Sequence, residues 1–132
     1  MIGIDTNILV RYFAQDDSLQ GPLAKRFMER RISSEQPGFI SLVVLAELTW
    51  VLRSRYKATR DELIQVVEQL LAHDHLEVQE SNAVWLALDE YDQSGVDFAD
   101  ALIASLGVQR GCQQTVTFDA KATRITGMEM LV

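Results

Sequence analysis

Cysteine, histidine and proline are scarce in this chain, which has one, two and two of them among its 132 residues. The single cysteine, Cys112, excludes an internal disulfide and is compatible with a reducing compartment. No apolar run approaches the roughly 18 residues needed to cross a bilayer, so neither a membrane span nor a membrane partner is predicted. Residues 1–5 do not lead into the basic and then apolar segments of a signal peptide, and we therefore expect a cytoplasmic protein.

Basic residues are also scarce in the second half of the chain. Nine of the twelve Lys and Arg residues precede Glu62, and only Arg110, Lys121 and Arg124 follow it. The net charge of -7 argues against nucleic-acid binding through phosphate contacts alone. A basic rim beside an acidic centre would suit an enzyme that binds a polyanion through metal ions, but solvated helix faces would give the same asymmetry. The same two interpretations apply to the basic cluster of Lys25, Arg26, Arg30 and Arg31.

Short apolar segments alternate with amphipathic segments along the whole chain, and no repeat or Pro/Gly/Ser-rich linker divides it. The predicted strands are residues 1–4, 39–40, 76–78, 115–118 and 128–132. One predicted helix spans residues 42–56, and others start at the capping residues Asp5 or Thr6, Ser18, Thr59, Ser81, and Asp97 or a neighbour. This alternation predicts an α/β fold with a parallel sheet covered on both faces, in a single domain over residues 1–132.

Four aromatic side chains lie at helical spacings among aliphatic residues. They are Tyr12, Phe27, Trp50 and Trp85. This spacing favours positions in the core or at a dimer interface over a role in stacking on nucleic-acid bases.

Carboxylates follow the predicted strands. Asp5 ends the first strand and Asp119 ends the strand at 115–118, so both should face the crevice at the carboxyl edge of the sheet. Glu47 and Asp100 lie in apolar stretches of helices, where a charge is costly unless it is paired or bound to a cation. Each acid taken alone could equally cap a helix or lie on a solvated face. Their joint placement is what predicts a shared metal site.

The ligand types available narrow the choice of metal. Oxygen ligands without a His pair or Cys favour Mg²⁺ or Mn²⁺ over zinc. His73 and His75 lack the helical i, i+4 spacing of a zinc pair. Carboxylates that hold one or two such ions can activate water for hydrolysis of a phosphodiester, without a protein nucleophile.

Four short segments occur in a characteristic order over the whole chain. They are Ile4-Asp5-Thr6-Asn7-Ile8-Leu9, Ile40-Ser41-Leu42-Val43-Val44-Leu45-Ala46-Glu47-Leu48, Asp97-Phe98-Ala99-Asp100-Ala101-Leu102-Ile103-Ala104 and Val116-Thr117-Phe118-Asp119. Each is weak alone, but together, in a chain of this size, they are fairly specific. They resemble the motifs of the PIN-domain ribonucleases, especially the VapC-type toxins of bacterial toxin-antitoxin pairs.

The resemblance implies a PIN-like three-layer α/β/α fold with a short, mainly parallel central sheet flanked by helices. It implies metal binding by Asp5, Glu47, Asp100 and Asp119, with support from Thr6, Asn7 or Thr117. Asp97 either completes the metal site through water or caps its helix. The resemblance further implies Mg²⁺-dependent endonuclease action on RNA, a homodimer, and inhibition by a cognate antitoxin protein. Such an antitoxin could place an apolar segment in a groove near the first helices.

Two other classes of protein deserve comparison. Phosphotransfer proteins also place Asp after a first parallel strand, but haloacid-dehalogenase-like phosphatases need a second Asp where this chain has Asn7. Response-regulator receivers need a Lys after a late strand, where Asp119 stands. A non-catalytic PIN-like module for RNA binding or protein interaction is the second alternative, and the intact acids argue against it.

Overall fold

The computed structural model describes residues 1–132, which form two compact units, Met1–Gln79 and Glu80–Val132. Six α-helices and five short strands alternate along them, and all the strand pairs are parallel. The predicted α/β fold class is confirmed, because these are the elements of the three-layer α/β/α arrangement. None of the helices combines the length and apolar character that crossing a membrane requires.

The first unit contains a three-stranded parallel sheet and four α-helices. Its strands are β1 (Ile2–Gly3), β2 (Gly38–Ile40) and β3 (Leu76–Val78), in the spatial order β1-β2-β3. Its helices are α1 (Thr6–Ala14), α2 (Gln20–Arg26), α3 (Leu42–Arg55) and α4 (Arg60–Ala72). Helix α1 packs against both α2 and α3. The residues that follow β1 and β2 therefore lie on neighbouring helices.

Two of the predicted helix caps in this unit are confirmed. Asp5 caps α1, and its side chain accepts a hydrogen bond from the backbone N–H of Thr6. Thr59 and Glu62 form a reciprocal capping box at the start of α4. The backbone N–H of Thr59 lowers the pKa of the Glu62 carboxyl by hydrogen bonding to its charged form.

The helix predicted to start at Ser18 is capped by a different side chain. Asp17 accepts hydrogen bonds of 2.7 and 2.9 Å from the backbone N–H groups of Gln20 and Leu19, and these bonds lower its pKa. A carboxylate one residue earlier satisfies the first helical N–H groups, so Ser18 has no capping role. After α2 the helix widens into a π-helical turn, Phe27–Arg31.

The second unit contains two helices and a two-stranded parallel sheet. Helix α5 (Ser81–Ser94) packs against α6 (Phe98–Gln109), and β4 (Thr115–Thr117) pairs with β5 (Met128–Met130). A single 3₁₀ turn, Ala122–Arg124, lies between the two strands. Ser81 was expected to cap α5 and is instead its first residue. Glu80 stands at the N-cap in a left-handed conformation and makes no side-chain capping bond.

The core of each unit is mainly aliphatic, and the two tryptophans lie outside it. Trp50 is 62% exposed and Trp85 is 46% exposed, so of the two predicted placements the core is wrong for both, and the dimer interface stays a prediction. On α3 the core face is formed by Leu45, Leu48 and Leu52. Position 50 lies about 200° around the helix from position 48, at about 100° per residue, which turns Trp50 away from the core.

Candidate metal centre

Asp5 follows the end of β1 by two residues, and its carboxylate lies at the carboxyl end of the parallel sheet. Its Oδ1 accepts a 2.7 Å hydrogen bond from the backbone N–H of Thr6. The side chain is otherwise exposed, and its second oxygen has no hydrogen-bond partner within the chain. In parallel α/β folds this edge of the sheet is where loops and helix starts surround a ligand.

Glu47 lies in the second turn of α3, the helix that follows β2. Glu47 and Asp5 line one cavity of about 540 Å³. The other lining residues are Thr6, Asn7, Val10, Arg11, Trp50, Val51, Arg55 and Tyr56. The structure therefore brings together the two acids predicted in the first unit, along with Thr6 and Asn7.

Thr6 contributes a buried hydroxyl beside Asp5. The residue is 5% exposed, and its Oγ1 has no hydrogen-bond partner. An unpaired buried hydroxyl costs about 1–3 kcal/mol, and a bound water or hydrated ligand would remove that cost. The unpaired Oγ1 therefore indicates that a polar ligand fits this part of the cavity.

The prediction of apolar surroundings was made for Glu47 and Asp100, and it is wrong for Glu47. Asp5, Glu47, Asp97 and Asp119 are exposed, and Asp100 is half-buried. Around Glu47 the apolar neighbours in sequence point into the core, which leaves the carboxylate on the outer face of α3. An exposed carboxylate stays hydrated, so its charge alone does not require a bound cation.

In the second unit, Asp100 lies in the first turn of α6. Burial raises the pKa of its carboxyl, and the nearby carboxylates of Asp97 and Asp119 raise it further, whereas Lys121 lowers it. Asp97 occupies the N-cap position of α6, but its side chain makes no capping hydrogen bond. The structure therefore places Asp97 and Asp119 close enough to Asp100 to influence its carboxyl electrostatically.

Asp119 lies in a turn just after β4 that is held by two hydrogen bonds. The backbone N–H of Asp119 donates to Thr117 Oγ1 at 3.0 Å, and Asp119 Oδ1 accepts from the backbone N–H of Lys121 at 2.9 Å. Thr117 therefore orients the turn that carries Asp119. One carboxylate oxygen of Asp119 is engaged within the turn.

The acids supply the oxygen ligands that Mg²⁺ and Mn²⁺ prefer. No three His, Cys, Asp or Glu side chains converge closely enough to form a metal cage. Mg²⁺ usually binds through one or two carboxylates and keeps several of its waters, so these residues fit it without a complete cage. The two histidines interact with each other, because His73 Nδ1 accepts a 3.0 Å hydrogen bond from the backbone N–H of His75.

Sequence reasoning missed several residues that lie near the acids. Trp50, Arg55 and Tyr56 line the cavity that holds Asp5 and Glu47. A signal for Trp50 was present, because residues three apart share a helix face and Trp50 follows Glu47 at that interval. Lys121 carried no such signal, because its proximity to Asp100 depends on how the loop after β4 folds.

In α/β folds ligands bind in the crevice outside the carboxyl ends of the strands, and carboxylates that hold divalent metal ions can promote phosphodiester hydrolysis. The family model for the PIN domain matches residues 2–128, and this chain belongs to the PIN-domain family. PIN domains are typically nucleases, so membership supports ribonuclease activity and suggests binding of RNA or another nucleic acid. No match was found among curated proteins.

Proposed function

We propose that this chain is a Mg²⁺-dependent endoribonuclease and the toxin of a toxin-antitoxin pair, acting in the cytoplasm as a single domain over residues 1–132. It hydrolyses RNA phosphodiester bonds with water, without a protein nucleophile. The observation that carries the proposal is the cavity that Asp5 and Glu47 share beside the unpaired hydroxyl of Thr6. Membership of a nuclease family supports it.

The proposed metal-binding acids are Asp5, Glu47, Asp100 and Asp119, with Asp97 in support. Bound Mg²⁺, or Mn²⁺ in its place, would supply a polarised water and neutralise charge on the phosphate. Thr6 and Asn7 offer a hydroxyl and an amide at the start of α1, while Thr117 fixes the turn of Asp119. Burial and the carboxylates of Asp97 and Asp119 raise the pKa of Asp100, so positive charge arriving beside it would favour its ionised form.

Cleavage of mixed RNA by the purified chain tests this proposal directly. We expect cleavage with Mg²⁺ or Mn²⁺ and none with a chelator. Asp5→Asn should reduce the cleavage rate by at least about a hundredfold. Loss of a residue that only supports a metal ligand typically costs about 10- to 100-fold in activity, and loss of the ligand itself should cost more. The variant should still fold, because an Asn oxygen can accept the capping bond at the start of α1.

The matched control is Glu68→Gln, which neutralises an exposed acid on α4. It should cleave like the wild type. Full activity in the presence of chelator, or equal rates for Asp5→Asn and the wild type, would overturn the proposal.

One observation favours a second candidate function, that of a non-catalytic module that binds RNA or a protein. No three acids converge into a metal cage. Under that reading RNA would bind without being cleaved at any concentration of metal, and Asp5→Asn would change nothing. The cleavage assay described above therefore separates the two candidates.

The proposal includes a cognate antitoxin and a homodimer. A groove of about 400 Å³ lies between α1 and α2, lined by Asn7, Ile8, Arg11, Gln20, Leu23, Ala24 and Phe27. Its apolar members and the 55% exposure of Leu23 suit the apolar segment of an antitoxin. Growth arrest on expression of the chain, relieved by co-expression of the antitoxin, would support the toxin role. Light scattering measures the subunit count.

A further inference from the structure

Trp50 is an exposed aromatic side chain beside the proposed metal-binding acids. It follows Glu47 by three residues on α3, and both line the cavity that contains Asp5. A single exposed aromatic residue is common on protein surfaces and has no meaning by itself. What distinguishes Trp50 is its place in a cavity that also holds two carboxylates and two arginines.

The two arginines of this cavity differ in their bonding. Arg11 forms an ion pair with Asp16 at 3.5 Å, and its Nε donates a 2.8 Å hydrogen bond to Gln20. Arg55 lies at the end of α3, is exposed, and has no ion-pair partner within the chain. A guanidinium without a partner beside an exposed indole provides the two contacts that a nucleotide needs, one for its phosphate and one for its base.

We propose that Trp50 is a stacking platform for one unpaired base of the RNA substrate, and that Arg55 contacts the adjoining phosphate. This inference rests on the proposed ribonuclease function and requires that the stacked base be unpaired. A base inside a duplex cannot expose its face to the indole, whereas a base in a loop can.

The shape of the site favours a nucleotide over a second copy of this chain. The cavity holds about 540 Å³, within the range of about 300–1,000 Å³ typical of small-ligand pockets. An apolar helix face from another subunit would leave the charged side chains of Asp5, Glu47 and Arg55 desolvated and without partners. Stacking also requires no particular base, because every base has a π-face, so Trp50 would contribute affinity more than sequence preference.

The test measures the affinity of short single-stranded RNA in the uncleaving Asp5→Asn background with Mg²⁺ present. Adding Trp50→Ala should weaken binding about tenfold, whereas Trp50→Tyr should keep most of the affinity. Trp85→Ala is the matched control, because Trp85 is the other tryptophan and is also exposed. It should bind like the parent.

Two further measurements separate stacking from a structural effect. In a Trp85→Phe chain Trp50 is the only tryptophan, and its fluorescence should be quenched when RNA binds. RNA oligomers that each lack one base should identify the stacked nucleotide. Removal of that base should weaken RNA binding by the parent but should not weaken binding by Trp50→Ala any further. Arg55→Gln should reduce the salt dependence of RNA binding, lowering its slope by about one.

Equal affinity for the parent and Trp50→Ala would overturn this inference, as would an equal loss in Trp85→Ala. A loss that coincides with dissociation of a dimer, with no abasic position that cancels it, would assign Trp50 to a subunit interface and also overturn the inference. If the wild-type chain cleaves RNA but Trp50→Ala binds RNA as tightly as the parent, only the stacking role is rejected. Binding that depends on Trp50 in a wild-type chain that never cleaves RNA would reject the nuclease proposal and leave stacking intact.

Discussion

The acids of the two compact units are placed in different electrostatic surroundings. In the first unit Asp5 and Glu47 are exposed and share their cavity with arginines. In the second unit Asp100 is half-buried, and its burial raises its pKa, as do the two carboxylates beside it. The carboxylate of Asp100 is therefore repelled by its neighbours, whereas Asp5 and Glu47 have cationic side chains in the cavity that they share.

Acids that are proposed to share one role, metal binding, can therefore differ in their burial and in the charges around them. A cation bound near Asp100 would relieve repulsion that is already present, whereas near Asp5 it would mainly replace water. The second unit should therefore account for more of the metal dependence of stability. The first unit offers the aromatic and cationic contacts for a substrate.

The largest expected effect is on catalysis, from Asp100→Asn. We expect cleavage to fall by at least about a hundredfold, as for Asp5→Asn, because each change removes a proposed ligand. Initial rates over a range of Mg²⁺ concentrations would measure this. If Asp100→Asn kept the wild-type rate while Asp5→Asn did not, the second unit would have no part in the metal site.

A smaller effect is expected from Thr6→Val, which removes the unpaired hydroxyl with little change in shape. Activity should fall about tenfold if that hydroxyl supports a bound water or ligand. The free energy of unfolding should stay the same or rise by about 1 kcal/mol, because the variant no longer buries a polar group that lacks a partner. Activity assays and thermal unfolding of the same preparation measure the two effects.

Thr49→Val is the matched control for this change. Thr49 is also buried, but its Oγ1 donates a 2.9 Å hydrogen bond to the backbone carbonyl of Ala46. It should leave activity unchanged and should not raise stability. Loss of stability without loss of activity in Thr6→Val would mean that the Thr6 hydroxyl serves packing alone.

The smallest expected effect is on the pH dependence of stability. The pKa of Asp100 is higher in the folded chain than its ordinary value of 3.8, so the folded state binds this proton more tightly. The contribution of Asp100 to stability is therefore largest at low pH, and it is lost as pH rises from 3.8 through the folded pKa. Asp100→Asn should consequently raise the melting temperature near neutral pH by about 1–3 °C.

Thermal unfolding at several pH values checks this sign. The gain in Asp100→Asn should vanish below pH 3.8, where Asp100 is protonated in both the folded and unfolded states. Added Mg²⁺ should raise the melting temperature of the wild type more than that of the variant. A variant less stable than the wild type at neutral pH would contradict the assigned repulsion.

The sequence was most informative where the backbone itself sets position. Asp5 and Asp119 each follow the end of a strand by two residues, and the strands form as expected within two residues at each end. Sequence could not predict how deeply Glu47 or Trp50 is buried, because burial depends on the face that α3 turns to its neighbours. Adjacent leucines made Glu47 look buried, yet neighbouring positions on a helix point in different directions.

The helix caps also differ in how well the sequence predicts them. The capping box of Thr59 and Glu62 was predictable because both partners lie within one local motif. The predictions that Ser18 and Ser81 cap helices were wrong because a neighbouring residue occupies the cap position. Polar residues that lie close together in sequence compete for that position. The proximity of Lys121 to Asp100 depends on the path of a loop, which leaves no periodic trace in the sequence.

The parallel pairing of all the strands affects how the chain folds during its synthesis. Ile2 of β1 pairs with Gly38 of β2, so the first strand leaves the ribosome well before its partner exists. No local hairpin can nucleate either sheet, and ordering must begin in the helices that separate the strands. Slow translation or a chaperone that shields the early apolar segment should therefore raise the yield of native protein.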